Sequence, residues 1–126
     1  MVNISKQIQY WQKGADDDIE TAKILLKNGK LVHGLFFCHL SIEKIVKAIV
    51  VKATNEIPPK THDIFILAKK AEIEIPEEEQ LICQILMKYQ LEGRYPAHFP
   101  VNPQPDLTRS YFYKTQKLLE WFKAKL

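Results

Sequence analysis

The chain has little of three features that would by themselves indicate a function. It contains two cysteines and four glycines in 126 residues, and its formal net charge is only +3. Cys38 and Cys83 lie alone in apolar patterns, which supports neither a disulfide nor a zinc site, so we expect buried, reduced thiols. Nucleic-acid binding requires cations concentrated on one face, and a slight excess of them does not predict it.

Long uninterrupted apolar runs are also missing. Lys, Glu or His breaks each apolar stretch, so no segment predicts a membrane span. The N-terminus lacks the basic segment, apolar run and cleavage site of a secretory signal, which makes the cytoplasm the expected location. Glycine-rich phosphate loops, nucleophile elbows and zinc-helix motifs are absent as well. The four histidines are scattered along the chain, and we expect neither a metal nor another cofactor.

What is present predicts one all-α domain spanning residues 1–126. The hydrophobic fraction is 46% and the charged fraction 26%, as in ordinary globular proteins. Apolar residues recur every three or four positions from Ile4 to Leu26, which predicts a long first helix ending at Asn28-Gly29. Residues 31–54 are apolar nearly all round, so the second helix should be the central one. The short turn between the two helices predicts an antiparallel pair.

Three further helices complete the predicted bundle. Thr61 is interpreted as the N-cap of a short third helix. A fourth helix opens at Pro76, with Leu81 on its buried face. The last helix starts near Asp106, with Leu107 on its inner stripe. The result is an up-and-down antiparallel helical bundle of four long helices plus one short helix, with a proline-rich loop over residues 93–105.

Polar side chains on the second helix form the first candidate site. His39, Glu43 and Lys47 are spaced at i, i+4 and therefore share one edge of the helix. One interpretation is a solvated stripe, and the other is a buried seam whose charges need partners. Asp18 lies close to the apolar stripe of the first helix. We therefore predict that Asp18 pairs with Lys44 or Lys47.

The second candidate site is the start of the proline-rich loop. Arg94 offers a planar fork for phosphate oxygens, and His98 can exchange a proton near neutral pH. Tyr95 and Phe99 are suited to stacking on bases. The alternative is structural: Arg94 would cap helix carbonyls, and the two aromatic rings would pack the loop onto the bundle.

Together these residues resemble the HEPN family, the higher eukaryote and prokaryote nucleotide-binding domain. The resemblance covers nearly the whole chain, and the order Glu-Lys-x-x-Lys, Pro-Lys-Thr-His-Asp, Arg-Tyr-Pro is its most specific part. The residues that carry it are Trp11, Ala15, Asp18, Ile19, Ala22, His39, Ile42, Glu43, Lys44, Lys47, Pro59, Lys60, Thr61, His62, Asp63, Arg94, Tyr95 and Pro96.

The resemblance implies a helical bundle that commonly forms a homodimer and is often encoded beside a small nucleotidyltransferase, as half of a toxin–antitoxin pair. Many relatives are metal-independent RNA endonucleases whose catalytic Arg is followed by a His after four to six residues. Arg94 and His98 are separated by only three residues, one of them proline, and so depart from that motif. Other relatives resemble non-catalytic modules that bind nucleotides or RNA. Asp18, Glu43 and Lys47 would be shared polar positions in either case.

Three functional hypotheses follow. The preferred one is a homodimeric module that binds nucleotide or RNA phosphates, with Arg94 and His98 lining the site and Lys44 or Lys47 supporting it. The second is a toxin-like RNase in which His98 is the general acid or base and Arg94 stabilises developing negative charge. The third is a purely structural interaction protein whose polar seam only sets the helix register.

Overall fold

The computed structural model describes residues 3–126, and within that range it contains α-helices and no β-strand. The all-α prediction is therefore confirmed. A single 3₁₀ turn, Pro96–His98, interrupts the proline-rich loop. The helices are α1 Ile4–Lys27, α2 Leu31–Thr54, α3 Ile64–Lys70, α4 Glu77–Met87 and α5 Pro105–Lys123.

The first two helices form the predicted hairpin. The Asn3 side chain caps α1 by accepting a hydrogen bond from the Lys6 amide at 3.0 Å. At the other end Gly29 adopts a left-handed φ of 76°, and the Lys30 amide donates to the Leu25 carbonyl at 2.9 Å. This closing turn satisfies carbonyls at the end of α1 and reverses the chain, because glycine adopts positive φ without a steric penalty.

Helix α2 is the centre of the bundle. It contacts α1, α3, α4 and α5, and most of its side chains are buried. Fully buried apolar side chains such as Leu35, Ile45, Leu86 and Phe122 form one continuous core around it. Each contributes about 1.5–3 kcal/mol by leaving water. Apolar as α2 is, no helix in residues 3–126 is long and apolar enough to cross a membrane.

Both cysteines lie in this core as free thiols, as expected. Burial raises the pKa of Cys38 and of Cys83 to about 12 in each case. Each thiol therefore stays protonated at neutral pH. Because the thiolate is the reactive form, neither cysteine is a candidate nucleophile.

Three local predictions are wrong. The N-cap of α3 is Asp63, whose carboxylate accepts from the amides of Phe65 at 2.9 Å and Ile66 at 3.2 Å. Thr61 instead accepts from the Asp63 amide and shapes the turn before the cap. Leu81 is 61% exposed and Leu107 is 43% exposed. Helices α4 and α5 pack through narrower stripes than the sequence pattern suggests, so apolar residues at the stripe margins stay in solvent.

Candidate functional site

A buried polar cluster on α2 is centred on Glu43. Its Oε2 atom lies 3.0 Å from Lys47 Nζ, and its Oε1 atom lies 2.9 Å from His62 Nδ1. Glu43 is 3% exposed and Lys47 is 7% exposed. The i, i+4 ridge is therefore a buried seam, and the solvated-stripe interpretation is wrong. Pairing within the seam offsets the several kcal/mol that each buried charge would otherwise cost.

His39 belongs to the same cluster as a neutral donor. Its Nε2 atom donates a hydrogen bond to the His62 carbonyl oxygen at 2.9 Å, which places the proton on Nε2 because a carbonyl only accepts. Burial lowers the pKa of His39, although the nearby Glu43 carboxylate opposes the shift. The uncharged imidazole therefore ties the segment before α3 to the centre of α2.

His62 connects the buried cluster to the surface. Its Nδ1 atom meets Glu43, and its Nε2 atom lies 3.2 Å from the Glu92 carboxylate. The side chain is 43% exposed, so the cluster opens to solvent at this imidazole. Glu92 comes two residues before Arg94, and the contact therefore links the cluster to the start of the proline-rich loop. Both imidazole nitrogens of His62 therefore have a carboxylate partner, one buried and one at the surface.

Trp11 of α1 completes the cluster. Its ring centroid lies 5.0 Å from Lys47 Nζ, a cation–π contact. Within residues 3–126, Trp11 Nε1 and His39 Nδ1 are buried without a hydrogen-bond partner. The cluster thus contains two buried nitrogen atoms that make no hydrogen bond to any residue the structure describes. No three His, Cys, Asp or Glu side chains in the described chain are grouped as metal ligands.

Asp18 forms an ion pair with Lys44 further along the same helix pair. The Asp18 Oδ2 atom lies 2.7 Å from Lys44 Nζ, so of the two predicted partners Lys44 is the one that pairs. A Cβ atom at Gly14 would lie 3.0 Å from the Lys44 side chain, so this glycine gives Lys44 room to reach Asp18. Burial raises the pKa of Asp18, and the hydrogen bond from Lys44 counteracts part of that shift.

The Asp18–Lys44 ion pair leads to a prediction about the stability of Asp18 variants. Because desolvation outweighs the attraction of Lys44, we expect Asp18→Asn to change the free energy of unfolding by less than about 1 kcal/mol at neutral pH. Asp18→Lys should lower it by roughly 2 kcal/mol or more, since two ammonium groups would share the seam. Urea denaturation of both variants provides the measurement. Equal losses in the two variants would mean that the charge of the pair is irrelevant.

The second candidate site lies wholly on the surface. Arg94, Tyr95 and His98 are exposed, and Tyr95 is 77% exposed. Gly93, with φ of 80°, turns the chain into the loop, and the Arg94 amide donates to the Leu91 carbonyl. The Arg94 side chain makes no ion pair with any residue of the described range, and the helix-capping alternative is not what the structure shows.

Only one of the two loop aromatics packs onto the bundle. Phe99 is half-buried and meets the His33 ring edge to face, with centroids 6.5 Å apart. Tyr95 points away from the core. The structure thus brings His39, Glu43 and Lys47 together on α2 and pairs Asp18 of α1 with Lys44 of α2. It leaves Arg94, Tyr95 and His98 on the exposed loop.

Sequence reasoning assigned Trp11 only to the apolar stripe of the first helix, and it missed two further members of the cluster, His62 and Glu92. His62 had one available signal, its place in the Pro-Lys-Thr-His-Asp segment, where a His directly precedes the helix cap. Glu92 had none, because it follows the end of α4 and shares no helical spacing with its partner. Contacts between segments that are distant in sequence depend on how the helices pack.

Fold and site together define a class of protein: a small helical bundle whose central helix carries a buried polar cluster, linked through His62 and Glu92 to an exposed loop bearing Arg, Tyr and His. The family model of the HEPN domain matches residues 8–125. The match covers nearly the whole chain, and the chain belongs to the HEPN domain family.

Solved structures agree with this fold. TT1696 from Thermus thermophilus has a TM-score of 0.79 and 20% identity, covering 95% of this chain and 98% of its own. The archaeal HEPN homologue ST0689 has a TM-score of 0.68 and 19% identity, covering 93% of this chain and 95% of its own. At such identities the likeness concerns the fold alone. No curated protein matches the chain.

Proposed function

We propose that this HEPN-domain protein is a binding module for nucleotide or RNA phosphates, and that Arg94, Tyr95 and His98 make the contacts. The exposure of Tyr95 is the observation that carries the proposal. An aromatic ring 77% exposed beside an arginine without a counter-charge is a site for stacking a base while the guanidinium meets a phosphate.

The buried cluster supports this site by positioning it. His39 holds the His62 carbonyl, and His62 in turn holds Glu92 at the entrance to the loop. Lys44 and Lys47 each pair with a buried or nearly buried carboxylate, so their support is indirect. A loop anchored at its start loses less conformational freedom when it binds a ligand.

Binding is favoured over catalysis by the surroundings of the Arg94–His98 pair. Groups that stabilise charge in a transition state are held in place by neighbouring side chains. Within residues 3–126 the His98 side chain has no hydrogen-bond partner, and its amide only closes the turn to the Tyr95 carbonyl at 2.8 Å. The spacing of three intervening residues also departs from that of the HEPN endonucleases.

Fluorescence anisotropy with a labelled oligouridylate tests the proposal. We expect Tyr95→Ala to weaken binding by about ten-fold, the effect of losing one stacked base. Arg94→Gln should weaken it and reduce the salt dependence of the affinity by about one phosphate contact. Lys69→Gln on the exposed end of α3 is the matched control and should bind as the parent does. Equal affinity in all four proteins would contradict the proposed site.

The same samples test the RNase alternative. After incubation with excess chelator, we expect the RNA to remain intact on a denaturing gel. Cleavage that His98→Ala abolishes would replace the binding module with a metal-independent endonuclease. Absence of any binding, together with intact RNA, would leave the purely structural role.

The proposal extends to assembly and location. We propose a cytoplasmic homodimer, with a small nucleotidyltransferase as a partner protein. Large apolar side chains such as Leu81 and Ile66 are exposed and available for such contacts. Light scattering on the purified chain measures the homodimer, and co-purification with the product of an adjacent reading frame tests the partner.

A further inference from the structure

A second basic surface lies outside the site described above. It is a groove of about 490 Å³ between the end of α1, the start of α2 and the first half of α5, which we call the basic groove. It is lined by Lys23, Leu26, Lys27, Leu31, Pro105, Thr108, Arg109, Phe112, Tyr113 and Gln116.

The rims of the basic groove are cationic. Lys23 and Lys27 lie one helical turn apart on α1, and Arg109 faces them from α5. No carboxylate lines the groove, and neither lysine forms an ion pair within residues 3–126. Arg109 pairs with Asp106, but both side chains are exposed, so water and salt screen that pair strongly. The groove is therefore lined by three cations and no carboxylate.

The interior of the basic groove is apolar and aromatic. Leu26, Leu31 and Phe112 form its floor, and Tyr113 stands at the edge with 57% of its surface exposed. Lys117 lies 4.8 Å from the centroid of the Tyr113 ring and adds a further cation beside it. Aromatic rings between rows of cations are the arrangement by which proteins hold single-stranded nucleic acid, with bases stacked and phosphates neutralised.

The basic groove is continuous with the loop of the proposed function. Leu31 also lines a neighbouring depression of about 360 Å³ that includes His33 and Phe99. Phe99 directly follows His98. An RNA strand that leaves the loop at His98 can therefore pass over Phe99 and Leu31 into the groove. No Asp or Glu lines the depression or the groove along this path.

We infer that the basic groove is a second subsite for single-stranded RNA, which takes the part of the strand beyond the nucleotide held by Arg94 and Tyr95. The inference rests on the proposed function and deepens it, because it makes a strand of several nucleotides the ligand. Lys23, Lys27 and Arg109 contact phosphates, and Tyr113 stacks on a base. An acidic amphipathic protein segment has similar chemistry, but the continuity with the loop favours the strand.

Oligonucleotide length separates the two subsites. Labelled oligouridylates of about 4 and about 12 nucleotides span the usual site sizes of single-strand grooves. We expect the parent protein to bind the longer strand at least ten-fold more tightly. The double variant Lys23→Gln, Lys27→Gln should lose most of that advantage, and the slope of log affinity against log salt should fall by about 1.4. Tyr113→Ala should lose about ten-fold with the slope unchanged.

The control is Lys69→Gln, Lys70→Gln on α3, which removes the same charge from an exposed surface that does not line the groove, and it should behave as the parent. Equal effects of the two double variants on RNA binding would overturn the groove subsite. If Arg94→Gln still weakened the binding of both strands in that case, the proposed function would stand. If the groove variant bound RNA normally but lost self-association in light scattering, the groove would be a protein contact. Failure of the parent to bind either strand would overturn both proposals.

Discussion

Glu43→Ala is expected to lower the free energy of unfolding by about 3–5 kcal/mol, because it leaves the buried Lys47 ammonium without its carboxylate. Lys47 is 7% exposed and lies against the Trp11 ring, so it cannot regain full hydration without moving the helix surface around it. His62 loses its buried partner at the same time. Against a typical total of 5–15 kcal/mol, such a loss is large, and urea denaturation measures it directly.

Two further variants identify the cause of that loss. Glu43→Gln keeps the volume and an acceptor oxygen but removes the charge, so its loss should be smaller than that of Glu43→Ala. The double variant Glu43→Leu, Lys47→Met replaces both charges with apolar groups of similar size, and it should recover most of the stability. A loss below about 1 kcal/mol in Glu43→Ala would indicate that water reaches the cluster as it reaches a surface pair.

Leu86→Ala is expected to cost about 2–5 kcal/mol, since it removes a side chain with no exposed surface and leaves a cavity in the core. Leu86 belongs to the continuous core around the central helix. Neighbouring helices cannot close fully over the missing atoms, so the loss exceeds the transfer free energy of the side chain alone. Thermal and urea denaturation both report the loss.

Leu81→Ala on the same helix is the matched control. The residue type, the helix and the substitution are identical, but Leu81 is 61% exposed, and we expect a change within about 0.5 kcal/mol. Similar losses at the two positions would mean that Leu81 is buried in solution, for example by a second copy of the chain. Light scattering on the same samples would then show whether that contact exists.

Burying the charged groups of the cluster centred on Glu43 costs free energy, and the fold alone does not require charged groups there. An apolar pair at Glu43 and Lys47 would hold α2 in place with comparable stability. The cluster instead connects α1, α2, the segment before α3 and the start of the loop through charged and hydrogen-bonded groups. Such connections place the loop residues Arg94 and Tyr95 relative to the bundle, which links the polar interior to the proposed binding surface.

Much of the fold follows from the sequence pattern. The repeat of apolar residues every three or four positions determines the helices, because burying one face of a helix requires that spacing. Gly29 marks the first reversal, since only glycine adopts its backbone conformation without strain. The continuous apolar character of residues 31–54 determines which helix is central. The i, i+4 ridge of α2 was compatible with a solvated stripe or a buried seam, and the position of Asp18 predicted pairing with Lys44 or Lys47; the structure shows the buried seam and Lys44.

Tertiary packing determined the burial and the contacts that the spacing of residues along each helix does not determine. Whether Leu81 and Leu107 are buried depends on how closely α4 and α5 approach their neighbours, and no property of those helices alone sets that distance. The partners in the cluster were open for the same reason: Lys47 shares the helix of Glu43, but His62 comes from a segment nineteen residues away, and Glu92, the second partner of His62, lies beyond α4. Sequence determined which residues need partners, because buried charge is costly; the arrangement of helices determined which partners they have.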